Sequence, residues 1–484
     1  MELEAIIGLE IHVQLKTKSK MFCRCANVGG EAEANSAICP ICLGYPGTLP
    51  VPNGQAITWT QKAGAALGCH LAHTSKFDRK SYFYPDLPKG YQISQYDQPF
   101  CGKGQLTVTV AGQEVTVGIT RIHLEEDAAK NTHSAGGTLI DYNRAGTPLM
   151  EIVTEPDMRE PAEAKVFLQE LQRIMRALGI ADADMEKGQL RADANISLRP
   201  KGEDKLYPKT EVKNINSFRF VEKALQYEIA RQTNMWEAGE IPQHATRGWD
   251  MDNGTTVEQR TKEEAADYRY FPEPDIPPFS FTEEELKAIT NSLPELPLQR
   301  TARLQGQYNI SAEQADVLVN NSQLLNFFEG TVSELEQMDK ERVAINSKEI
   351  PELVKIAFNV IRRELVALES YDKISPENFA ELVVLLQQGK ISRASVPAIL
   401  AEMQATGGDP DPIIQRLGLQ QVNEAGELEA AAALVIQENP EVVEKIKAGK
   451  EAALQFLMGQ VMAKTGGKAN PKVIIDLLRK AILG

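Results

Sequence analysis

A chain of 484 residues, 42% hydrophobic and 25% charged, is long enough for two to four domains and a sizeable core. No run is long and apolar enough for a membrane span, and the acidic start Met1-Glu2-Leu3-Glu4 lacks the features of a signal peptide, so a cytoplasmic protein is expected. A formal net charge of -15 argues against a protein that grips nucleic acid over its whole surface, because phosphate contacts need Lys and Arg; a local basic patch is still compatible with it.

The first predicted element is a strand over residues 5–15. Leu9, Ile11, Val13 and Leu15 occupy one face, and Glu10 and His12 point together from the other. Cys23-Arg24-Cys25 follows, then thirteen residues, then Cys39-Pro40-Ile41-Cys42. Two close pairs of this kind can close a tetrahedral thiolate site for a structural zinc ion. A redox pair or buried thiols are the competing readings. Residues 77–92 mix aromatic residues, prolines and fixed charges and read as a shaped loop, in which Lys80 and Lys89 line a polar channel, hold a phosphate or are surface charge.

In Ile122-His123-Leu124-Glu125-Glu126-Asp127 the apolar residues are Ile122 and Leu124, which places Glu125 with His123 and Arg121 on the opposite side. Glu151 interrupts the apolar run Pro148-Leu149-Met150-Glu151-Ile152-Val153, where an unpaired carboxylate is costly to bury. A helix is expected over residues 160–178, and residues 189–199 repeat the alternation, with Arg191, Asp193, Asn195, Ser197 and Arg199 on the polar face. Each such face, taken singly, also suits a solvated sheet. Together the carboxylates can form ion pairs or, as hard oxygen ligands, hold Mg²⁺ beside a phosphorylated ligand.

From 1 to about 293 the texture is that of an α+β, mixed-sheet body. Beyond Pro294-Glu295-Leu296-Pro297 helical periodicity takes over, with N-terminal signals at Thr282-Glu283-Glu284-Glu285 and Ser311-Ala312-Glu313-Gln314. A second break at Thr406-Gly407-Gly408-Asp409-Pro410 sets expected domains of 1–293, 294–408 and 409–484. In the last of these, Lys464, Lys468, Lys472, Arg479 and Lys480 form a basic stretch suited to a phosphate backbone or to a solvated face. Signatures of P-loop NTPases, α/β-hydrolases and kinases are absent from the sequence, so any ATP chemistry needs another cradle.

The ordered segments Ile7-Gly8-Leu9-Glu10-Ile11-His12, Tyr82-Phe83-Tyr84-Pro85-Asp86-Leu87-Pro88-Lys89-Gly90-Tyr91-Gln92-Ile93-Ser94-Gln95-Tyr96, Asn143-Arg144-Ala145-Gly146-Thr147-Pro148-Leu149-Met150-Glu151, Asn214-Ile215-Asn216-Ser217-Phe218-Arg219 and Tyr268-Arg269-Tyr270-Phe271-Pro272-Glu273-Pro274-Asp275 closely resemble the B subunits of the bacterial glutamyl/aspartyl-tRNA amidotransferases. The likeness spans essentially the whole chain. It implies an N-terminal mixed or antiparallel β-rich cradle, an α-helical domain and a small helical tail similar to the YqeY family, which binds tRNA.

It also implies a reaction. ATP and Mg²⁺ phosphorylate the side-chain carboxylate of Glu or Asp misacylated on tRNA(Gln) or tRNA(Asn), and ammonia from a partner amidase displaces the phosphate. A small third protein wraps around the pair to give a heterotrimer, and the non-discriminating aminoacyl-tRNA synthetase is a further partner. The positions carried over to metal binding and phosphoryl transfer are Glu10, His12, Glu125, Glu151 and Asp193, with Glu126 as the competitor of Glu125. Lys80 and Lys89 match positions near the channel and cradle. Zinc rests on cysteine spacing more than on the likeness. No Gly-Gly-Ser-Ser sequence occurs, so glutamine hydrolysis is expected of the partner. The competing readings are a non-catalytic tRNA-binding scaffold and a stand-alone ligase of another class.

Overall fold

The computed structural model describes residues 2–28, 32–134, 136–261, 267–340, 346, 348–421, 425–447, 452–465 and 471–483. It divides into two compact units, Met1–Pro297 and Leu298–Gly484.

The first unit is built on an eight-stranded sheet. Its order is Thr255–Thr261, Ala245–Asp250, Thr210–Lys213, Leu190–Pro200, Leu3–Gln14, Pro148–Thr154, Gln113–Glu126 and Gly104–Val110. Neighbours run antiparallel except Thr210–Lys213 beside Ala245–Asp250, which are parallel. The period-two pattern is what orients it. Ile7, Leu9, Ile11 and Val13 are at most 1% exposed and join Leu190, Ala192, Ala194 and Ile196 in one core. Over that apolar face pack the helices Gly54–Ala66, Pro161–Ala177 and Phe218–Glu237. Burying one such aliphatic side chain contributes about 1.5–3 kcal/mol. A one-residue slip would put Glu10 and His12 into that core instead, so the register is strongly fixed and the polar side chains of these strands are left to line the opposite face.

The sequence signals for helix starts correspond to real caps. Thr282 and Ser311 each form a capping box, at the heads of Glu283–Asn291 and Ala312–Val319. The expectation of a loop over residues 77–92 needs correction. Asp78–Ser81 and Tyr91–Ser94 are short antiparallel strands, joined by Phe271–Pro272 into a three-stranded sheet. Four-residue strands rich in charge carry too few alternations to be read from pattern.

The second unit is helical. One apolar cluster runs from Leu304 to Ile414 and a separate one from Leu428 to Ile482. Pro410–Leu417, beyond the Gly407-Gly408 turn, packs on Pro376–Gln387 and Val396–Thr406 and supplies Ile413 and Ile414 to the first cluster. No described helix is long and apolar enough to cross a membrane. The class is α+β, a sheet-rich body followed by helices.

Candidate active site

Cross-strand register assembles the polar face. Arg191 stands opposite His12, His12 opposite Glu151, and Glu151 opposite His123, giving one row across four strands. The neighbouring row is Asp193, Glu10, Val153 and Arg121. Residues paired in this way present their side chains on the same face at close range. The result is a polar cavity of about 900 Å³ lined by polar residues of both rows, by Glu125, and by Lys80, Tyr268 and Tyr270 on its far wall.

Glu151 is the hub. Its Oε2 lies 3.3 Å from His12 Nε2 and 3.1 Å from His123 Nε2. Glu125 is 3.7 Å from each imidazole and accepts a hydrogen bond from Ser94 Oγ at 2.9 Å. Burial would raise the Glu151 pKa, but His123 and His12 outweigh it and hold the carboxyl well below its usual range. Burial likewise opposes ionisation of Glu125, and His123 and Lys80 overcome it. His123 shows the reciprocal effect: burial favours the neutral ring, yet Glu151 and Glu125 push its pKa up to about 9. Glu10 moves the other way, raised by burial and then by the Glu151 charge. Lys80 is shielded from water, which lowers its pKa, but Glu125, Tyr270 and Glu151 raise it on balance; its ammonium sits 4.9 Å over the Tyr268 ring.

These donors fall into two overlapping sets, Glu10, His12 and Glu151, and His123, Glu125 and Glu151, each with ligand atoms within 4.8 Å of one another. Carboxylate oxygens with water in the remaining positions suit Mg²⁺. His123 Nδ1 is buried without a hydrogen-bond partner among the described residues. Asp193 enters as a partner of Lys213, at 2.5 Å, with Glu211 3.1 Å from the same ammonium. Arg191 is held 3.0 Å from buried Asp127.

Of the residues singled out in the sequence, Glu10, His12, Glu125, Glu151, Asp193 and Lys80 therefore line one cavity. Lys89 and Glu126 do not. Lys89 Nζ donates to both Glu126 oxygens at 2.5 and 2.6 Å, beside a separate cavity of about 220 Å³ that also borders Cys23 and Cys42. His123, Lys213, Arg121 and Arg191 complete the site. His123 was legible from its shared face with Glu125; the short strand of Lys213 gave no signal.

Cys23, Cys25, Cys39 and Cys42 bring their sulfurs within 4.8 Å of one another. Cys42 is drawn down to about 4 by the Cys23 thiol, the Cys39 N–H at 3.1 Å and the ammonium of Lys20, which is 1% exposed and 3.8 Å away. Four clustered sulfurs with one stabilised thiolate fit a closed zinc site. In the tail, Lys464 pairs with Glu438 at 2.9 Å, and Arg479 and Lys480 lie on the Pro471–Leu483 helix. That helix also carries Lys472, whose side chain is not described, and Lys468 lies outside the described residues.

The polar face of the sheet gathers carboxylates, imidazoles and cations into one cavity, and a helical region follows it in the chain. Two family models match the sequence, the GatB/GatE catalytic domain over residues 5–287 and the GatB domain over residues 326–482. The chain belongs to the GatB/GatE family. Similar proteins, named as the B subunit of aspartyl/glutamyl-tRNA(Asn/Gln) amidotransferase, occur in Dehalococcoides mccartyi strain 195 (46% identical over 488 residues, 99% of each chain) and Carboxydothermus hydrogenoformans (46% over 483 residues, 99% of this chain and 98% of the other). The protein of that name from Persephonella marina is 46% identical over 483 residues, 100% of both chains.

Proposed function

We propose that the chain acts as the B subunit of an Asp/Glu-tRNA(Asn/Gln) amidotransferase and that its cradle uses ATP to activate the side-chain carboxylate of a misacylated tRNA. The observation that carries this reading is the pair of donor sets sharing Glu151, set in a polar cavity with Lys80, Lys213 and Arg191 around it. A non-catalytic scaffold has no need of buried carboxylates clustered at such close range.

A carboxylate is a poor acyl donor. Transfer of the γ-phosphoryl group to one of its oxygens, with ADP leaving, gives the carbonyl carbon a good leaving group. Ammonia then forms the C–N bond, the phosphate departs, and the excess proton is released. The demands on the protein are alignment and charge neutralisation. Lys80 and Lys213 offer cations to phosphate oxygens, and Arg191 extends the positive row. Glu10, His12, Glu125, Glu151 and His123 would hold Mg²⁺, which when bound neutralises charge on the transferring group. Asp193 positions Lys213. Recession of the cavity into the sheet face limits hydrolysis of the acyl phosphate.

Ammonia comes from glutamine hydrolysed by a partner amidase, with a small third protein stabilising the heterotrimer and tRNA(Gln) or tRNA(Asn) as the carrier. A zinc ion held by Cys23, Cys25, Cys39 and Cys42 is structural, because four thiolates leave no open coordination position. The test is transamidation by the heterotrimer with Glu-tRNA(Gln) and Asp-tRNA(Asn). ATP- and glutamine-dependent amide formation on at least one of them is the expected result. Tight tRNA binding with no amide formed on either would leave the scaffold reading in its place.

A further inference from the structure

The strand Gln113–Glu126 changes phase in mid-course. Val117 and Ile119 are buried in the core before the change, and Ile122 and Leu124 after it. A strict period of two from Ile119 would send Arg121, His123 and Glu125 into that core. A β-bulge prevents this. Ile119 pairs with Thr154 and Arg121 with Val153, so Thr120 is an extra residue on this strand. The segment that follows Thr154 clasps the bulge. Thr120 Oγ1 donates to Glu155 Oε1 at 2.9 Å, the Gly118 N–H to Asp157 Oδ2 at 2.9 Å and the Glu155 N–H to Gly118 O at 2.8 Å. A Cβ on Gly118 would meet Glu155 Cγ at 2.9 Å, so glycine is what lets the two segments approach.

Bulges beside active sites re-aim side chains. Two of the residues turned here, His123 and Glu125, belong to the donor sets; Arg121 has no part in them. It lines the active-site cavity half-buried, with no ion pair or hydrogen bond among the described residues, and its Nε is buried without a partner. The other Lys and Arg side chains of that lining are engaged: Arg191 with Asp127, Lys213 with Asp193 and Glu211, and Lys80 with the Tyr268 ring. A guanidinium partly withdrawn from water with no counter-ion calls for an anionic ligand. Resting on the proposed function, we infer that Arg121 binds the side-chain carboxylate of the misacylated amino acid, the group that accepts the phosphoryl.

The guanidinium fork matches both oxygens of a carboxylate through two parallel N–H donations. A phosphate offers oxygens of the same kind, but in the proposed reaction the phosphates of ATP already face Lys80, Lys213 and the Mg²⁺ donors. The acceptor carboxylate has no such counter-charge, and it must approach Glu10, Glu125 and Glu151, where like charge repels it. Arg121 is placed to offset that repulsion: it shares a strand face with His123 and Glu125, at the flank of the donor set that contains Glu151. Each bound oxygen keeps a lone pair for attack on phosphorus. Once one oxygen carries the phosphoryl group, Arg121 remains a donor to the other, the carbonyl oxygen on which negative charge builds as ammonia adds.

The test uses the heterotrimer with Arg121→Lys and Arg121→Met. Arg121→Lys keeps the charge and loses the fork, so kcat/KM for the misacylated tRNA in amide formation should fall about ten- to a hundredfold, the range for a hydrogen bond to a charged group. ATP affinity without tRNA and affinity for uncharged tRNA should change little. A binding measurement separates recognition from folding. Glutamate, or norvaline, which lacks the carboxylate, is joined to tRNA(Gln) by a stable amide; aspartate and α-aminobutyrate serve for tRNA(Asn). Wild type should prefer the carboxylate form about tenfold or more, and Arg121→Met should lose most of that preference while binding the neutral form equally well. Retention of the preference in Arg121→Met, its absence in the wild type, or unaltered kcat/KM in Arg121→Lys overturns the assignment and leaves the cradle chemistry standing. Weakened ATP binding with the preference intact gives the guanidinium to the phosphates and overturns it likewise. Absence of ATP-dependent amide formation in the wild-type heterotrimer overturns the proposed function and this inference together.

Discussion

Glu151 touches both imidazoles and belongs to both donor sets, so the site's electrostatics turn on a single carboxylate. Glu151→Gln keeps the shape, removes the charge and should lower amide formation by about 10²–10³-fold or more, in line with the loss of one preorganised charge-stabilising group. Glutamine hydrolysis by the partner amidase should persist; the check is amide formation and ammonia release measured side by side. His123→Ala is expected to act similarly, although Glu10 and His12 remain. Period-two alternation made Glu10, His12 and Asp193 readable through apolar neighbours on both sides, Glu125 was placed by Ile122 and Leu124, and Glu151 stood out as a charge within an apolar run. What could not be read was pairing. Nothing in the sequence says that Glu126, next to Glu125, turns away to meet Lys89 and the Ile93 N–H. Likewise Lys213 reaches Asp193 through a strand contact that no local pattern encodes.

At the level of elements, two devices hold the cradle in shape. One is the cysteine knuckle. It packs against the turn that leads into the Glu151 strand: Met21 N–H donates to Gly146 O at 2.6 Å and Lys20 Nζ to Tyr142 O at 3.2 Å. Removal of the proposed zinc by a chelator should therefore loosen residues 20–45 and 142–147 in hydrogen exchange while the helices beyond Leu298 keep their protection. Equal loss of protection throughout, or none near Gly146, would contradict the bracing role. The other device is Glu228, 0% exposed on the Phe218–Glu237 helix. Arg231 Nε, Thr256 Oγ1 and Gln232 Nε2 donate to it, and Arg247 is 3.3 Å away. Burial would raise its pKa, but Arg231, Thr256 and Gln232 lower it below the ordinary 4.5. A depressed folded pKa means that its stabilisation is fully present above about 4.5 and is lost as pH falls through the folded value. Removing it takes the carboxylate partner from Arg231, which keeps the Thr210 hydroxyl, while Arg247 keeps Thr256 and Glu258, a change costing about 1–3 kcal/mol. Glu228→Ala should show this deficit in urea unfolding at pH 7 and a smaller one near pH 3. All three Trp, at 59, 236 and 249, lie in the first unit, so their fluorescence reports it selectively. Helix starts with capping boxes were legible ahead of the structure, whereas the short strands of 78–81 and 91–94 were not, since four residues supply little periodicity.

For the whole molecule, a net charge of -15 confines tRNA contact to local patches, and the tail is the candidate. Because Ile413 and Ile414 belong to the preceding helical core, we place the useful truncation point after Gln421 rather than at the Gly407-Gly408 turn. The truncated heterotrimer should bind tRNA more weakly, with a shallower salt dependence, and keep its tRNA-independent glutaminase activity; equal tRNA affinity at matched salt would show that the tail does not hold tRNA. In the proposed reaction the cradle forms a phosphorylated carboxylate on the aminoacyl-tRNA. Its most direct test is oxygen transfer: the heterotrimer is given Glu-tRNA(Gln) or Asp-tRNA(Asn) carrying heavy oxygen in the side-chain carboxylate, with unlabelled ATP, and the released phosphate is analysed by mass. One heavy oxygen in the phosphate for each amide formed is the expected result, with both products reduced together in Glu151→Gln. Amide formation accompanied by unlabelled phosphate would contradict it.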